Sequence, residues 1–225
     1  INFDKNWKNR PETYNNYWTS GKPKNQIELA FRMHWTLFKE ILGDNSGKKV
    51  LEVGCGRGSI SSYFAQNKFD CTLLDISSSV IEVAKKIFEE TGHKANFVVG
   101  DALNLPFQDN EFDVIVSIGL FEHFENLDSL ISEHQRVLKK GGRVLAYVVP
   151  ENKKNIQAKY LLINKVLKFI SSIFVKDGKK YMKDEIFRSN YNSDYYRNII
   201  ETYNVSEFQS IGMYPLPMIS HSPNF

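Results

Sequence analysis

Short runs of continuously apolar residues alternate with amphipathic stretches through the middle of this chain. Val50–Val53, Cys71–Leu74, Asn96–Val99, Phe112–Ser117 and Arg143–Val149 read as strands. They do not alternate apolar with polar residues, so both faces are expected to be buried, as in a parallel sheet. Between them, Ser59–Gln66, Ser78–Thr91 and Leu127–Leu138 read as helices, the second with Val80, Ile81, Ala84, Ile87 and Phe88 on one side. Ahead of the first strand, Gln26–Leu42 carries Ile27, Leu29, Ala30, Met33, Leu37, Phe38 and Ile41 at helical spacing, and Gly43 to Gly47 ends it. Gly141-Gly142 is expected to turn the chain into the fifth strand, and Pro150 to close it. Strand–helix–strand repetition with right-handed crossovers predicts an α/β fold: a doubly wound, mostly parallel sheet with helices on both faces.

The flanks follow other patterns. Residues 1–25 are polar and aromatic, with Phe3, Trp7, Tyr14, Tyr17 and Trp18, and are expected to form a cap packed over something else. After Pro150, Asn155–Phe174 reads as a helix whose apolar face includes Ile156, Tyr160, Ile163, Val166, Leu167 and Ile170, with Lys165 and Lys168 among them. Lys176, Lys179, Lys180 and Lys183 follow. An insert after strand five is expected to be a helical lid; a basic amphipathic helix lying on a membrane is the other reading. Ser193–Tyr203 reads as a helix, Val205–Ile211 as a sixth strand, and Met213–Phe225 as loop. The expected division is therefore a cap at 1–25, a core at 26–150, an insert at 151–192, and a last helix and strand at 193–225 that complete the core.

Composition narrows the function classes. The 225 residues are 42% hydrophobic and 24% charged, ordinary for a globular protein. A net charge of +3 without a concentrated basic stripe gives no reason to expect nucleic acid as a partner. Cys55 and Cys71 provide neither a disulfide framework nor metal-ligand spacing, so no metal is expected. There is no secretory leader and no apolar run long enough to span a bilayer, so the expected location is cytoplasmic.

The candidate chemistry lies in VLEVGCGRGS, Val50 to Ser59, and in LLDIS, Leu73 to Ser77. A strand runs into three glycines at alternate positions, Gly54, Gly56 and Gly58, and the next strand ends in Asp75. This is the layout of a nucleotide-type cofactor cleft at the carboxyl edge of a parallel sheet. The third glycine comes one residue too soon for the dinucleotide pattern G-x-G-x-x-G, which argues against NAD. Further motifs follow in order: Gly100 to Phe107 (GDALNLPF), Phe112 to Ser117 with Leu120-Phe121-Glu122-His123, and Leu138 to Gly142 (LKKGG). With these five motifs the chain, from about Val50 to Val149, resembles the class I S-adenosylmethionine-dependent methyltransferases, in particular the group acting on small molecules (methyltransferase domain type 11-like). The family fold is Rossmann-like, in agreement with the strand–helix alternation.

The resemblance implies S-adenosyl-L-methionine as cofactor, S-adenosyl-L-homocysteine as product and a small-molecule acceptor. It implies cofactor contacts at Glu52, Gly54, Cys55, Gly56 and Gly58. Asp75 would take the ribose hydroxyls, and Asp101 with the backbone of Ala102 and Leu103 would take the adenine edge. Ile76 and Leu103 would sandwich the ring, and Ser117 and Ile118 would lie beside the methionine part. Glu52 either organises the loop N–H groups or reaches the cofactor amino group through water. Cys55 reads as a small residue fitting a tight bend. As plain structural residues, Asp75 would be a helix cap and Asp101 a turn residue.

His123 is the candidate base: it follows strand four, and its ordinary pKa suits proton transfer near neutrality. Pocket lining and a structural hydrogen bond are its other readings. Glu122 reads as a helix-start residue, and His34, His93, His134 and His221 as surface or packing residues. Candidate acceptor-pocket residues are Tyr14, Tyr17, Trp18, Gly119, Phe121 and Tyr195. The expected reaction is in-line methyl transfer to an O or N atom of a small molecule. The alternatives are a membrane-peripheral lipid or quinone-precursor methyltransferase and a non-catalytic cofactor-binding partner subunit. Family members have an antiparallel seventh strand, and no run before Phe225 supplies one.

Overall fold

Strand–helix alternation becomes one five-stranded parallel sheet in the computed structural model, which describes residues 16–44, 46–149, 187–203 and 205–212. The strands are β1 (Lys49–Val53), β2 (Asp70–Asp75), β3 (Asn96–Val99), β4 (Phe112–Ile118) and β5 (Leu138–Tyr147). Their order is β3-β2-β1-β4-β5, with every neighbouring pair parallel. The winding reverses between β1 and β4, so a crevice opens outside their carboxyl ends.

The helices are α1 (Gln26–Leu42), α2 (Ser59–Gln66), α3 (Ser78–Thr91), α4 (Asp128–Val137) and α5 (Ser193–Glu201). The two-residue side-chain period of the strands divides the core in two. Val50, Cys71, Val114 and Leu145 face a layer made by α1, α2 and α3, with Trp35, Phe64, Ile81 and Phe88. Leu51, Val53, Leu74 and Ile115 face the other layer, with Leu130 and Val137 of α4 and Tyr196 of α5. The central strands β1, β2 and β4 are buried on both faces, which is why they lack an alternating pattern, whereas of the edge strands β3 and β5 only Leu145 is buried. Between β3 and β4 the connection carries no helix. Arg136 of α4 holds that loop instead, donating to the carbonyls of Leu105 and Phe107 at 2.8 Å each and pairing with Asp109 at 2.9 Å.

Three elements depart from the sequence reading. On α1 the buried positions are His34, Trp35, Phe38 and Leu42, whereas Met33 is exposed. Trp35 on that face meets Tyr63 and Phe64 of α2 at ring distances of 6.0 and 5.0 Å. β5 begins at Leu138, which already pairs with Phe112; the register then slips to Val114 opposite Arg143. Gly141-Gly142 therefore lies in a bulge inside the strand, held by a Lys139–Asp113 ion pair at 2.8 Å. The strand also stops at Tyr147, two residues early. Val205–Ile211 forms no strand in the described residues, and Val205 and Ile211 are exposed. Phe208 lies 4.7 Å from the Arg197 guanidinium of α5 instead, and alternation makes a strand only where a sheet covers its apolar side. The readings placed on Tyr14, on the helix at 155–174 and on the tail at 213–225 fall outside the described residues.

Candidate functional site

The glycine turn begins where β1 ends. The N–H groups of Gly54 and Cys55 both donate to the Leu74 carbonyl, at 2.9 and 3.0 Å, tying the turn to β2. Gly58 then caps α2 in the left-handed region, at φ +68°. A Cβ there would lie 2.6 Å from Leu73 and 2.8 Å from Phe88, so only glycine lets the helix start this close to β2 and α3. Gly56, at φ +52°, has no atom within 4 Å of the place a Cβ would take, which leaves its backbone open to a ligand.

A glycine cap has no side chain to accept from the first turn of its helix. Glu52 supplies that acceptor from the strand below. Its Oε2 accepts from the Ser61 N–H at 3.2 Å and from the Ser61 hydroxyl. Burial pushes its carboxyl up to about 8, against the pull of both Ser61 bonds, and the Asp75 charge raises it further. Glu52 thus keeps its proton at neutral pH and serves the start of α2. Cys55 is buried beside it, with its thiol raised well above the ordinary value by burial and then by Glu52 and Asp75. Such a thiol is a poor nucleophile.

Asp75, at the end of β2, joins two segments. One oxygen accepts from the Gly56 N–H at 3.1 Å, and the other from the Ser77 N–H at 3.0 Å. A carboxylate offers about four acceptor positions, so it can serve backbone and ligand together. The α3 cap is made by Ser77, which accepts from the Val80 N–H at 3.3 Å. At the end of β3, Asp101 closes a turn by accepting from the Leu103 N–H at 2.9 Å. Around the two carboxylates, Ile76, Val99 and Leu103 are left 59%, 53% and 39% exposed, while Ala102 is buried. Apolar side chains in water at the rim of a crevice, next to acceptors, fit a flat base carrying sugar hydroxyls.

The exit from β4 forms the other wall. Ser117 is buried and its hydroxyl has no partner among the described residues. Beyond half-buried Ile118, Gly119 donates its N–H to the Tyr147 carbonyl at 2.8 Å. Leu120 leans on the glycine turn, with a methyl 3.0 Å from where a Gly54 Cβ would stand. A short 3-10 turn over Phe121–His123 follows. Glu122 lies in the first turn of this short helix, as read from the sequence, and is fully buried; one oxygen accepts from the Val149 N–H at 3.3 Å, and the other has no partner among the described residues. Burial raises its carboxyl, with His123 and Arg188 pulling the other way. The Glu122 carbonyl accepts from the Ser189 N–H at 2.7 Å. His123 Nδ1 meets the Phe187 carbonyl at 2.8 Å. A carbonyl can only accept, so Nδ1 carries the hydrogen and Nε2 of the neutral ring holds the lone pair. The Glu122-His123 pair thus anchors the chain returning at 187–189.

The other pocket candidates separate. Tyr17 sits at the glycine turn: its N–H donates to the Ser59 hydroxyl at 3.3 Å, and its ring lies 4.7 Å from the Arg57 guanidinium. Trp18 packs instead on the outside of α2, bonded to Gln66 at 3.3 Å and edge-on to His93 at 4.6 Å. Phe121 points into the core against His134, at 5.5 Å. Tyr195 stacks on Tyr191 at 3.8 Å, beside the core under α4. Its neighbour Tyr196 turns inward, with its hydroxyl 3.1 Å from that of Ser189. His34, expected as a surface or packing residue, is buried, and its ring lies 4.1 Å from that of Tyr147 at the end of β5. A histidine among Phe31, Trp35 and Phe38 at helical spacing was the available signal. At the opposite, amino edge of the sheet a cavity of about 530 Å³ is lined by Lys49, Leu105, Pro106, Phe107, Gln108 and Glu111.

Residues 51–146 match a family model described as a methyltransferase domain. The ubiquinone/menaquinone biosynthesis C-methyltransferase UbiE of Shewanella pealeana is 32% identical over 164 residues, which is 68% of this chain and 65% of that protein. The chain thus spans slightly less than two thirds of that relative's length. The chloroplastic tocopherol O-methyltransferase of Arabidopsis thaliana is 36% identical over 102 residues, 44% of this chain and 29% of that protein. Among solved structures, a putative methyltransferase from Bacillus halodurans has a TM-score of 0.56 and 26% identity, covering 75% of this chain and 67% of that one.

Proposed function

The chain belongs to the class I S-adenosylmethionine-dependent methyltransferases, and from that premise we propose that it transfers a methyl group from S-adenosylmethionine to an O or N atom of a small molecule. The observation that carries this reading is Asp75, which reaches from the end of β2 to the Gly56 N–H at 3.1 Å. That contact sets an acceptor for two ribose hydroxyls against an open glycine backbone. Asp101 and the Leu103 backbone would meet the adenine edge, and exposed Ile76 and Leu103 its faces. Glu52, Gly54, Cys55, Gly56 and Gly58 form the turn beneath, and Ser117, Ile118 and Gly119 flank the methionine part.

The cofactor supplies an activated methyl on a sulfonium. The protein's own task is to hold the acceptor atom in line with the methyl–sulfur axis. His123 Nε2 is the group we assign to take the acceptor's proton, since the Phe187 carbonyl fixes its tautomer. No helix among the described residues is long and apolar enough to cross a membrane, and we place the protein in the cytoplasm.

A second acceptor class has specific support. One relative is named as a ubiquinone/menaquinone biosynthesis C-methyltransferase and another as a tocopherol O-methyltransferase. Incubation with methyl-labelled S-adenosylmethionine and a panel of phenols, amines, fatty acids and quinols tests these readings together. Label in a phenol or amine supports the first reading, and carbon-bound label in a quinol supports the second. Cofactor binding without transfer to any class would instead favour a non-catalytic subunit.

A further inference from the structure

The carbonyl that orients the His123 ring belongs to a segment without regular structure. Phe187 to Asn192 form neither helix nor strand, so the 2.8 Å bond between His123 Nδ1 and the Phe187 carbonyl fixes the imidazole only if Phe187 is itself held. Ser189, two residues on, is where the segment is held. It is buried, at 2% exposure. Its N–H donates to the Glu122 carbonyl at 2.7 Å, and its hydroxyl lies 3.1 Å from that of Tyr196. Tyr196 is only 7% exposed, and α5 carries its ring into the core cluster that contains Leu127 and Leu130.

A segment held by one hydrogen bond can swing about it; a second bond from another direction stops the swing. Ser189 has one bond to the exit of β4 and one to α5. The hydroxyl pair is buried, where leaving either group unpaired costs more than it would in water. Burial raises the Tyr196 phenol, against the pull of the Ser189 bond, so it stays neutral and pairs as a hydroxyl. We propose that Ser189 and Tyr196 are positioning residues: their paired hydroxyls fix the Phe187 carbonyl, and through it keep the hydrogen of the His123 ring on Nδ1. This rests on the reading of His123 as the base and adds the residues that keep it competent. A ring released from the carbonyl is free to carry its hydrogen on Nε2 instead, and in that tautomer Nε2 has no lone pair to take a proton. A group that moves protons depends on such a supporting shell for its orientation.

The test is nitrogen-15 NMR of the full chain with labelled histidine at about pH 8, where an ordinary imidazole is neutral. The spectrum of His123→Gln identifies the His123 signals among those of the five histidines. In the wild type Nδ1 is expected to carry the hydrogen and Nε2 none. Tyr196→Phe and Ser189→Ala should each cut the share of Nδ1–H rings by about half or more. Ser189→Thr, which keeps the hydroxyl, should leave that share as it is. Should Tyr196→Phe fail to fold, Ser189→Ala decides. A wild-type ring protonated on Nε2, or a tautomer unmoved in Ser189→Ala, overturns the proposal. With the phenol or amine that takes label from S-adenosylmethionine, kcat of the two variants should fall by the same factor as the Nδ1–H share, with KM for S-adenosylmethionine unchanged. Full transfer by His123→Gln would instead remove the reading of His123 as the base, while the tautomer still decides the proposal.

Discussion

Glu52 carries a proton that its hydrogen bonds argue against. Both Ser61 bonds favour the anion, yet complete burial outweighs them and holds the carboxyl near 8. The native state therefore binds this proton more tightly than the unfolded chain, whose carboxyl titrates near 4.5. The Glu52 contribution to stability is complete below about pH 4.5 and is lost as pH rises through about 8. Glu52→Gln keeps an acceptor for Ser61 without the titration. Thermal melts of the ligand-free protein from pH 5 to 8 should show the wild type losing stability relative to this variant, and parallel curves would contradict it. Gly58 is the other residue on which the turn depends. Gly58→Ala would drive a methyl into Leu73 and Phe88, and should destabilise by about 1–3 kcal/mol in urea unfolding. A variant as stable as the wild type would mean that α2 can shift its start.

At the scale of elements, the strands of the sheet were legible because each is apolar at successive positions. The cap of α3 is Ser77, where the sequence offers Asp75 two residues earlier. The β5 bulge was not legible, because Gly141-Gly142 reads equally well as a turn; only the partner strand reveals that Leu138 already pairs. The facing of α1 was missed for a related reason. Of the residues read at helical spacing Phe38 is buried and Met33 is exposed, while His34 and Trp35, left out of that set, are buried. The helix-free link between β3 and β4 depends on one long-range cation, Arg136, which bonds to Leu105, Phe107, Asp109 and Glu133. Arg136→Lys cannot reproduce that fork. It should cost about 1–2 kcal/mol, discounted for partial solvent exposure. Amide hydrogen exchange should quicken across residues 105–109, and unchanged exchange there would assign the loop's order to its own apolar contacts.

Across the whole molecule, three segments meet at one edge of the sheet: the glycine turn, the ends of β2 and β3, and the β4 exit with the returning chain at 187–189. The first two were legible because the glycines, Asp75 and Asp101 are close in sequence to the strands that place them. The anchoring of residues 187–189 by Glu122 and His123 spans more than sixty residues, as the His123–Phe187 bond shows, and no local pattern announces it. For the same reason Phe121 and Tyr195 could be named as pocket residues although one packs in the core and the other on a neighbouring tyrosine.

The central claim is that this edge holds S-adenosylmethionine through Asp75. Titration calorimetry on the full chain tests it directly. Binding of one S-adenosylmethionine per chain is expected, with no detectable affinity for NAD. Asp75→Ala should weaken the binding by about 1–3 kcal/mol, roughly tenfold to a hundredfold, the loss expected for hydrogen bonds to a charged group. Binding of NAD in place of S-adenosylmethionine, or cofactor affinity unaltered by Asp75→Ala, would contradict the account.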